Sequence, residues 1–190
     1  MPIPVQDAIR FCFMCGAMLP RPVPANCTAC GLGHYANPKP CVGVLVVHES
    51  SVLLTRRAIE PYYGYWDIPG GFCEVGEHPA ACAVRELKEE LGCEVKIRSY
   101  LGCWMDRYCD PTGLVEYSTL NIFYVAALLR EAMSQADNEV SEHRFFPILS
   151  PPAKIAFPDH SNSALLALQD AYSGERIHFR PNQNSPHESQ

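Results

Sequence analysis

Three glutamates crowded into one short helical stretch constrain this chain more than any other feature. Residues 70–93 read GGFCEVGEHPAACAVRELKEELGC. A glycine pair leads into an acidic turn, and Pro79 followed by alanines marks a helix start, because proline's fixed φ and missing N–H suit a first turn. At about 100° per residue, Ala80, Val84, Leu87 and Leu91 fall on one face, and Glu86, Glu89 and Glu90 gather on the other. The expectation is a helix with an inward apolar stripe and three outward carboxylates. Like charges a turn apart repel by roughly 0.2–0.5 kcal/mol per pair. A solvated acidic face is the ordinary fate of such a helix; a hard divalent cation is the functional alternative, since carboxylate oxygens are its preferred ligands.

The flanks favour the cation. Gly71, Glu77, Arg85, Glu86, Leu87, Glu89, Glu90 and Gly92 stand in register with G-x5-E-x7-R-E-U-x-E-E-x-G-U, where U is a large aliphatic residue. This segment resembles the signature of the Nudix pyrophosphohydrolases, with Cys93 in the last aliphatic place as a mild departure. The resemblance implies an α/β/α sandwich with a mixed sheet, and a Mg²⁺ or Mn²⁺ site built from Glu86, Glu89, Glu90 and the carbonyl of Gly70. Glu86 and Glu90, four apart, are the strongest ligand candidates. Glu89 either binds a second ion or helps deprotonate water. Arg85, a permanent cation, is no ligand, and the family pattern makes it the residue that orients Glu86 or Glu77.

A second metal pattern lies upstream. Cys12-x2-Cys15, an 11-residue gap and Cys27-x2-Cys30 supply two thiolate turns, each followed by a glycine. Four thiolates complete a tetrahedral Zn²⁺ shell and leave no open position, so the reading is a structural zinc ribbon. Such an ion contributes on the order of 10 kcal/mol of folding free energy to a segment too small to bury its own core. Few basic residues accompany the cysteines, which favours a scaffolding or dimerising role over nucleic-acid binding. The next residues, 34–40, read HYANPKP and form an extended, proline-punctuated connector. Ribbon, connector and signature together resemble the group containing the NADH, FAD and ADP-ribose pyrophosphatases, over about residues 10–175. The SQPWPFPxS motif of the NADH pyrophosphatases is absent from the sequence. The domain reading is zinc ribbon over 1–35, Nudix domain over 36–178 and a disordered tail over 179–190, where almost nothing apolar remains to bury.

Between these landmarks the chain reads as alternating elements, and periodicity alone supports a mixed α/β domain. Cys41–His48 and Ser51–Arg56 are β-branched runs joined by a polar turn, a hairpin. The loop 58–65 carries three tyrosines that either stack on a nucleobase or cover a domain edge. Glu94–Gly102 and Tyr117–Leu129 read as strands, and 130–138 as a polar excursion. Glu139 and Glu142 resemble the ExxE of the NADH pyrophosphatase group, in which the first glutamate reaches the metal; the role passes to Glu139, and Glu142 reads as an exposed charge. Ser161–Tyr172 reads as a helix capped by Ser161 or Asn162, with Ala164, Leu165, Leu168 and Ala171 inward.

At 190 residues and 47% apolar, the chain suits one well-buried domain plus a small appendage. Its longest apolar run is far too short to span a bilayer, and the expected location is cytoplasmic. A net charge of −6 argues against broad attraction to nucleic acid or anionic membrane, so a phosphate-bearing ligand needs local cations. Four of the ten cysteines are claimed by the ribbon; Cys41, Cys73, Cys82, Cys93, Cys103 and Cys109 follow no ligand pattern. The function implied is metal-dependent hydrolysis of a nucleoside diphosphate linked to another moiety, with FAD, ADP-ribose and NAD(H) as candidate substrates and a homodimer as the assembly expected from relatives. Two rivals come from other classes: a nucleotide-sensing Nudix module without catalysis, and a zinc-ribbon nucleic-acid adaptor.

Overall fold

A computed structural model of the chain describes residues 1–110, 112–130 and 138–174. The elements, in chain order, are β1 (Ile3–Pro4), α1 (Val5–Ala8), β2 (Ala25–Asn26), β3 (Gly33–His34), β4 (Lys39–His48), β5 (Ser51–Arg57), β6 (Trp66–Asp67), α2 (Pro79–Leu91), β7 (Glu94–Cys109), β8 (Val115–Arg130), β9 (Val140–Pro147) and α3 (Pro158–Tyr172). They fall into two compact units, Met1–Lys39 with Arg107–Thr119, and Pro40–Asp106 with Leu120–Gln190. Most of the predicted polar excursion and the whole expected disordered tail lie outside the described residues.

In the larger unit the strands run in the order β8-β4-β5-β6, with β7 beside β8 and β9 beside β5. The predicted hairpin is present: β4 and β5 pair antiparallel through Val47↔Val52 and His48↔Ser51. Strand alternation then builds two cores. Val42, Val44 and Val46 of β4 and Leu53 of β5 point to one face, where they meet Cys82, Ala83, Leu87 and Leu91 of α2. Leu45, Val52 and Leu54 point to the other, where they meet Ala164, Leu165 and Leu168 of α3. A period of two thus places one helix on each side of the sheet, the α/β/α sandwich expected.

Helix α2 begins and ends for local reasons. The Nδ1 of His78 accepts the Ala80 N–H at 3.1 Å, Pro79 occupies the first turn, and Gly92 closes the helix in the left-handed region at φ 64°. The inward stripe differs from expectation, since Val84 is 39% exposed whereas Cys82 and Ala83 are fully buried. The helix is therefore rolled toward the side that carries Glu86 and Glu90, and the carboxylates do not share one outward face: Glu86 and Glu90 are recessed and Glu89 is exposed. The rotation follows from cysteine and alanine, which fit closer to the sheet than valine does.

Further differences concern boundaries. β7 and β8 are each 16 residues long and extend past the ends expected at Gly102 and Tyr117. Helix α3 starts at Pro158 and is preceded by Phe157 at φ 47°, so neither Ser161 nor Asn162 is the cap. Ser161 lies instead inside the helix with no exposed surface, and Ala171 faces solvent. Glu142 is only partly exposed and pairs with Arg56 and Arg144. No helix among the described residues is long and apolar enough to cross a membrane.

In the N-terminal unit, β1 runs parallel to the start of β8 through Ile3↔Val115, and β2 pairs antiparallel with β3. Its core is small: Cys12, Leu19, Val23 and Cys27, with Ile9, Ala17, Leu32 and Ala36 against them. The larger unit's stability is expected to hinge on the α2 face. Leu87→Ala, which empties a fully buried site, should lower unfolding free energy by about 2–5 kcal/mol in a urea titration.

Candidate active site and metal centres

The two CxxC turns of the N-terminal unit are built alike. Gly16 donates its N–H to the Cys12 carbonyl at 2.8 Å and Gly31 to the Cys27 carbonyl at 2.8 Å, while the N–H groups of Cys12 and Cys27 bond the carbonyls of Ala17 and Leu32. All four sulfurs lie within 4.8 Å of one another, and Cys12–Cys30 and Cys15–Cys27 are each 3.6 Å apart. A tetrahedral Zn²⁺ with Zn–S bonds of about 2.3 Å requires sulfurs about 3.8 Å apart, so the cluster fits that ion. Its electrostatics call for a cation. Backbone N–H groups of Cys30 and Ala29 pull the Cys27 thiol down to about 7, while Cys15, despite donation from Ala17, is pushed up to about 12 by the surrounding thiols.

In the larger unit, the chain passes from β6 through Pro69 into the glycine pair. A Cβ at Gly70 would stand 2.1 Å from the Val42 carbonyl oxygen, and one at Gly71 would stand 2.6 Å from the Glu86 carboxyl carbon. Glycine is required at position 70, where the loop presses against the β4 backbone, whereas at position 71 a side chain would displace the Glu86 carboxylate. Arg85 then organises the acids. Its Nε and Nη2 donate to the two oxygens of Glu77, each at 2.9 Å; its Nη1 reaches Glu86 at 2.9 Å and Glu89 at 2.8 Å; and Nη2 also donates to the Phe72 carbonyl. The fork holds Glu77 well below the usual carboxylate range, at about 2, by its hydrogen bonds and the Glu74 N–H.

Glu90 has no such partner. Its Oε2 is buried without a hydrogen bond, and the carboxylate receives one backbone N–H, that of Gly70. Burial first, then the charges of Glu86, Asp67 and Glu139, push its acid well above the ordinary range. Glu86 is raised as well, mainly by burial, with Arg85 opposing. A recessed, unpaired carboxylate oxygen amid other acids suits a hard divalent cation, which would both coordinate it and reverse the local field. Glu86, Glu90 and the Gly70–Gly71 loop are thus neighbours, and Glu89, 57% exposed in its side chain, turns toward Arg85. Among the described residues only the four cysteines bring three or more ligand atoms within 4.8 Å of one another, so the carboxylates are gathered less tightly.

Asp67 was given no role by sequence reasoning. It lies in β6, three residues before Gly70, with its side chain 14% exposed and bonded to Arg57. The available signal was a charged residue in a run, Trp66-Asp67-Ile68-Pro69, that otherwise reads as buried.

Residues 37–165 match the NUDIX domain family. The chain belongs to the Nudix family of hydrolases. This Nudix chain is 32% identical over 126 residues to an ADP-ribose pyrophosphatase of Methanocaldococcus jannaschii, covering 66% of the chain and 70% of that protein. It is 37% identical over 180 residues to the NAD-capped RNA hydrolase NudC of Pseudomonas fluorescens, covering 90% of the chain and 59% of that relative. The chain therefore spans somewhat more than half of NudC's length. Among solved structures, a NUDIX hydrolase from Nitrosomonas europaea superposes with a TM-score of 0.68 at 31% identity, covering 91% of this Nudix chain and 95% of that one.

Two outcomes follow from this geometry. Because Glu77's acid is depressed in the folded state, its contribution to stability is present above the unfolded value near 4.5 and is lost as pH falls through about 2. Glu77→Gln should destabilise the protein at pH 6 and converge with wild type as pH approaches 2, read by urea titrations across that range. Purified protein should carry about one zinc per chain by mass spectrometry of the metal, and Cys27→Ser should lose it and lower Tm.

Proposed function

We propose that this Nudix protein hydrolyses the diphosphate bond of a nucleoside diphosphate linked to a second moiety, giving a nucleoside monophosphate and the phosphorylated moiety. The observation that carries this reading is the Oε2 of Glu90, buried and unpartnered beside Glu86 and the Gly70–Gly71 loop. Glu86, Glu90, Glu139 and the Gly70 carbonyl are the groups proposed to hold Mg²⁺ or Mn²⁺. When bound, that ion supplies neutralisation of the diphosphate charge and a more acidic water. The chain's own contribution is to recess Glu86 and Glu90, whose burial raises their acids and favours a cation beside them. Arg85 offsets the mutual repulsion of Glu77, Glu86 and Glu89 by bonding each. Glu89, the most exposed acid of the helix, is free to reach solvent and serves either a second ion or the attacking water's proton.

The substrates that the relatives' names carry, ADP-ribose and NAD-capped RNA, join FAD and NAD(H) as candidates, all of them adenine-bearing diphosphates. The four-cysteine ribbon, over residues 1–35, is assigned a structural zinc, and the catalytic domain residues 36–178. Homodimerisation and a cytoplasmic location complete the proposal.

The test is a panel of ADP-ribose, FAD, NADH and NAD-capped RNA with Mg²⁺ or Mn²⁺ in ¹⁸O-labelled water, read by mass spectrometry. AMP is the expected common product of ADP-ribose, FAD and NADH, and NAD-capped RNA should give nicotinamide mononucleotide and RNA bearing a 5′-monophosphate. Glu86→Gln and Glu90→Gln should each lower kcat by at least about 100-fold, the loss of roughly 2.7 kcal/mol of transition-state stabilisation. Near wild-type turnover in either variant removes the proposed site. Binding without turnover in the wild type would favour the sensor reading, and strongly salt-dependent binding to any RNA would favour the adaptor.

A further inference from the structure

The loop at 58–65 is held shut from inside by one side chain. Arg57 donates its Nε to the Pro61 carbonyl at 2.7 Å and its Nη1 to Asp67 Oδ2 at 2.9 Å, while its guanidinium carbon stands 5.0 Å from the centre of the Phe157 ring. Its backbone takes part too, with the Arg57 N–H bonded to the Tyr65 carbonyl at 3.0 Å and the Gly64 N–H to the Arg57 carbonyl at 2.9 Å. Both stems of the loop are tied to chain that carries candidate metal ligands. On one side Asp67 also accepts the Ile68 N–H, two residues before Gly70; on the other, the Ala58 N–H bonds the Glu139 carbonyl at 2.7 Å.

A buried ion pair of this kind contributes little net stability over an apolar replacement, because both charges must be desolvated. Arg57 and Asp67 are 17% and 14% exposed, and Arg57's donors are engaged by protein groups. With Nε and Nη1 committed to Pro61 and Asp67, the recessed pair is suited to fixing a geometry. What it fixes is an aromatic surface. Tyr62 sits in the left-handed region at φ 66°, its ring edge-on to Tyr65 at 5.6 Å and to Phe157 at 4.9 Å. A non-glycine residue held there is strained, and such strain persists where the surroundings over-determine it. All three tyrosines reach solvent, and Tyr63, which makes neither of these ring contacts, is the most exposed at 65% against 36% for Tyr62 and Tyr65. Two cations flank the loop, Arg56, bonded through Nε to the Gly64 carbonyl, and Lys154, whose Nζ stands 5.8 Å from the centre of the Tyr65 ring. On a chain of net charge −6, these are the local cations a nucleotide needs.

We propose that Tyr63 is the stacking platform for the substrate's nucleobase, and that Arg57 and Asp67 are positioning residues that hold its loop in register with the segments bearing Gly70 and Glu139. This rests on the diphosphatase reading above, and it is tested by equilibrium binding so that the two fail separately. AMP and ribose 5-phosphate are titrated into full-length protein by calorimetry. Loss of base stacking, worth about 1–3 kcal/mol, corresponds to a weakening of roughly 5- to 150-fold. Tyr63→Ala should weaken AMP within that range, leave ribose 5-phosphate unchanged, and raise KM for ADP-ribose with kcat within about twofold. Tyr63→Phe should restore wild-type values. Arg57→Met should weaken AMP as Tyr63→Ala does, and the double variant should be no weaker than either single one. Wild-type AMP affinity in Tyr63→Ala, equal loss of both ligands, or failure of phenylalanine to restore binding overturns the proposal. Because Tyr63 is exposed, its variants decide the matter even if Arg57→Met does not fold. AMP binding that depends on Tyr63 in a protein that cleaves none of the diphosphates would sink the hydrolase reading and leave this one standing.

Discussion

Arg85 is the charge on which the acidic end of this molecule depends. Four carboxylates, Glu77, Glu86, Glu89 and Glu90, are delivered to one place by a single turn and helix, and left alone they would repel one another. One guanidinium bonds three of them, Glu77 through Nε and Nη2 and both Glu86 and Glu89 through Nη1. A lysine could not do this, since it offers a point charge instead of a planar set of five donors. The fourth acid, Glu90, is left with an unpaired oxygen, and that asymmetry is what separates a metal site from a salt-bridge network. Three acids satisfied by protein and one unsatisfied is an arrangement that asks for an external cation at one spot.

The rest of the larger unit serves that arrangement by holding two rigid layers against it. Helix α2 rides on β4 and β5 through fully buried Leu87 and Leu91, so the positions of Glu86 and Glu90 are set by packing and do not depend on the helix's own propensity. The glycine pair lies between β4 and Glu86, with no room for a side chain at Gly70, which ties the loop to the same sheet. The N-terminal unit solves the opposite problem. With a core of four buried residues, it brings two matching cysteine turns together in a cluster whose spacing fits a cation.

Much of this was legible in residue order. Within each CxxC turn and within α2 the candidate ligands are local in sequence, so spacing carries the information; Glu139 and the meeting of the two cysteine turns depend on the fold. The β4–β5 hairpin was legible for the same reason, as its partners are adjacent in the chain. The misreadings are of another kind. Val84 was placed inward because helical periodicity weighs hydrophobicity, whereas the sheet selected the smaller Cys82 and Ala83. The start of α3 was misplaced because Phe157 caps it from a left-handed conformation that no residue preference announces. Asp67 went unremarked because its partner, Arg57, lies across a strand pair, and its burial depends on α3 and on a loop that sequence could not dock.

The amino-acid sequence by itself determined the family, the two sets of candidate metal ligands and the alternation that puts one helix on each face of the sheet, since each is encoded largely in local spacing. Only the tertiary structure decided which carboxylate is left unpaired, how far α2 is rolled about its axis and which tyrosine of the 58–65 loop is the most exposed. Those outcomes are set by contacts between residues distant in the chain, where packing volume and desolvation, and not local propensity, choose among the arrangements that the sequence allows.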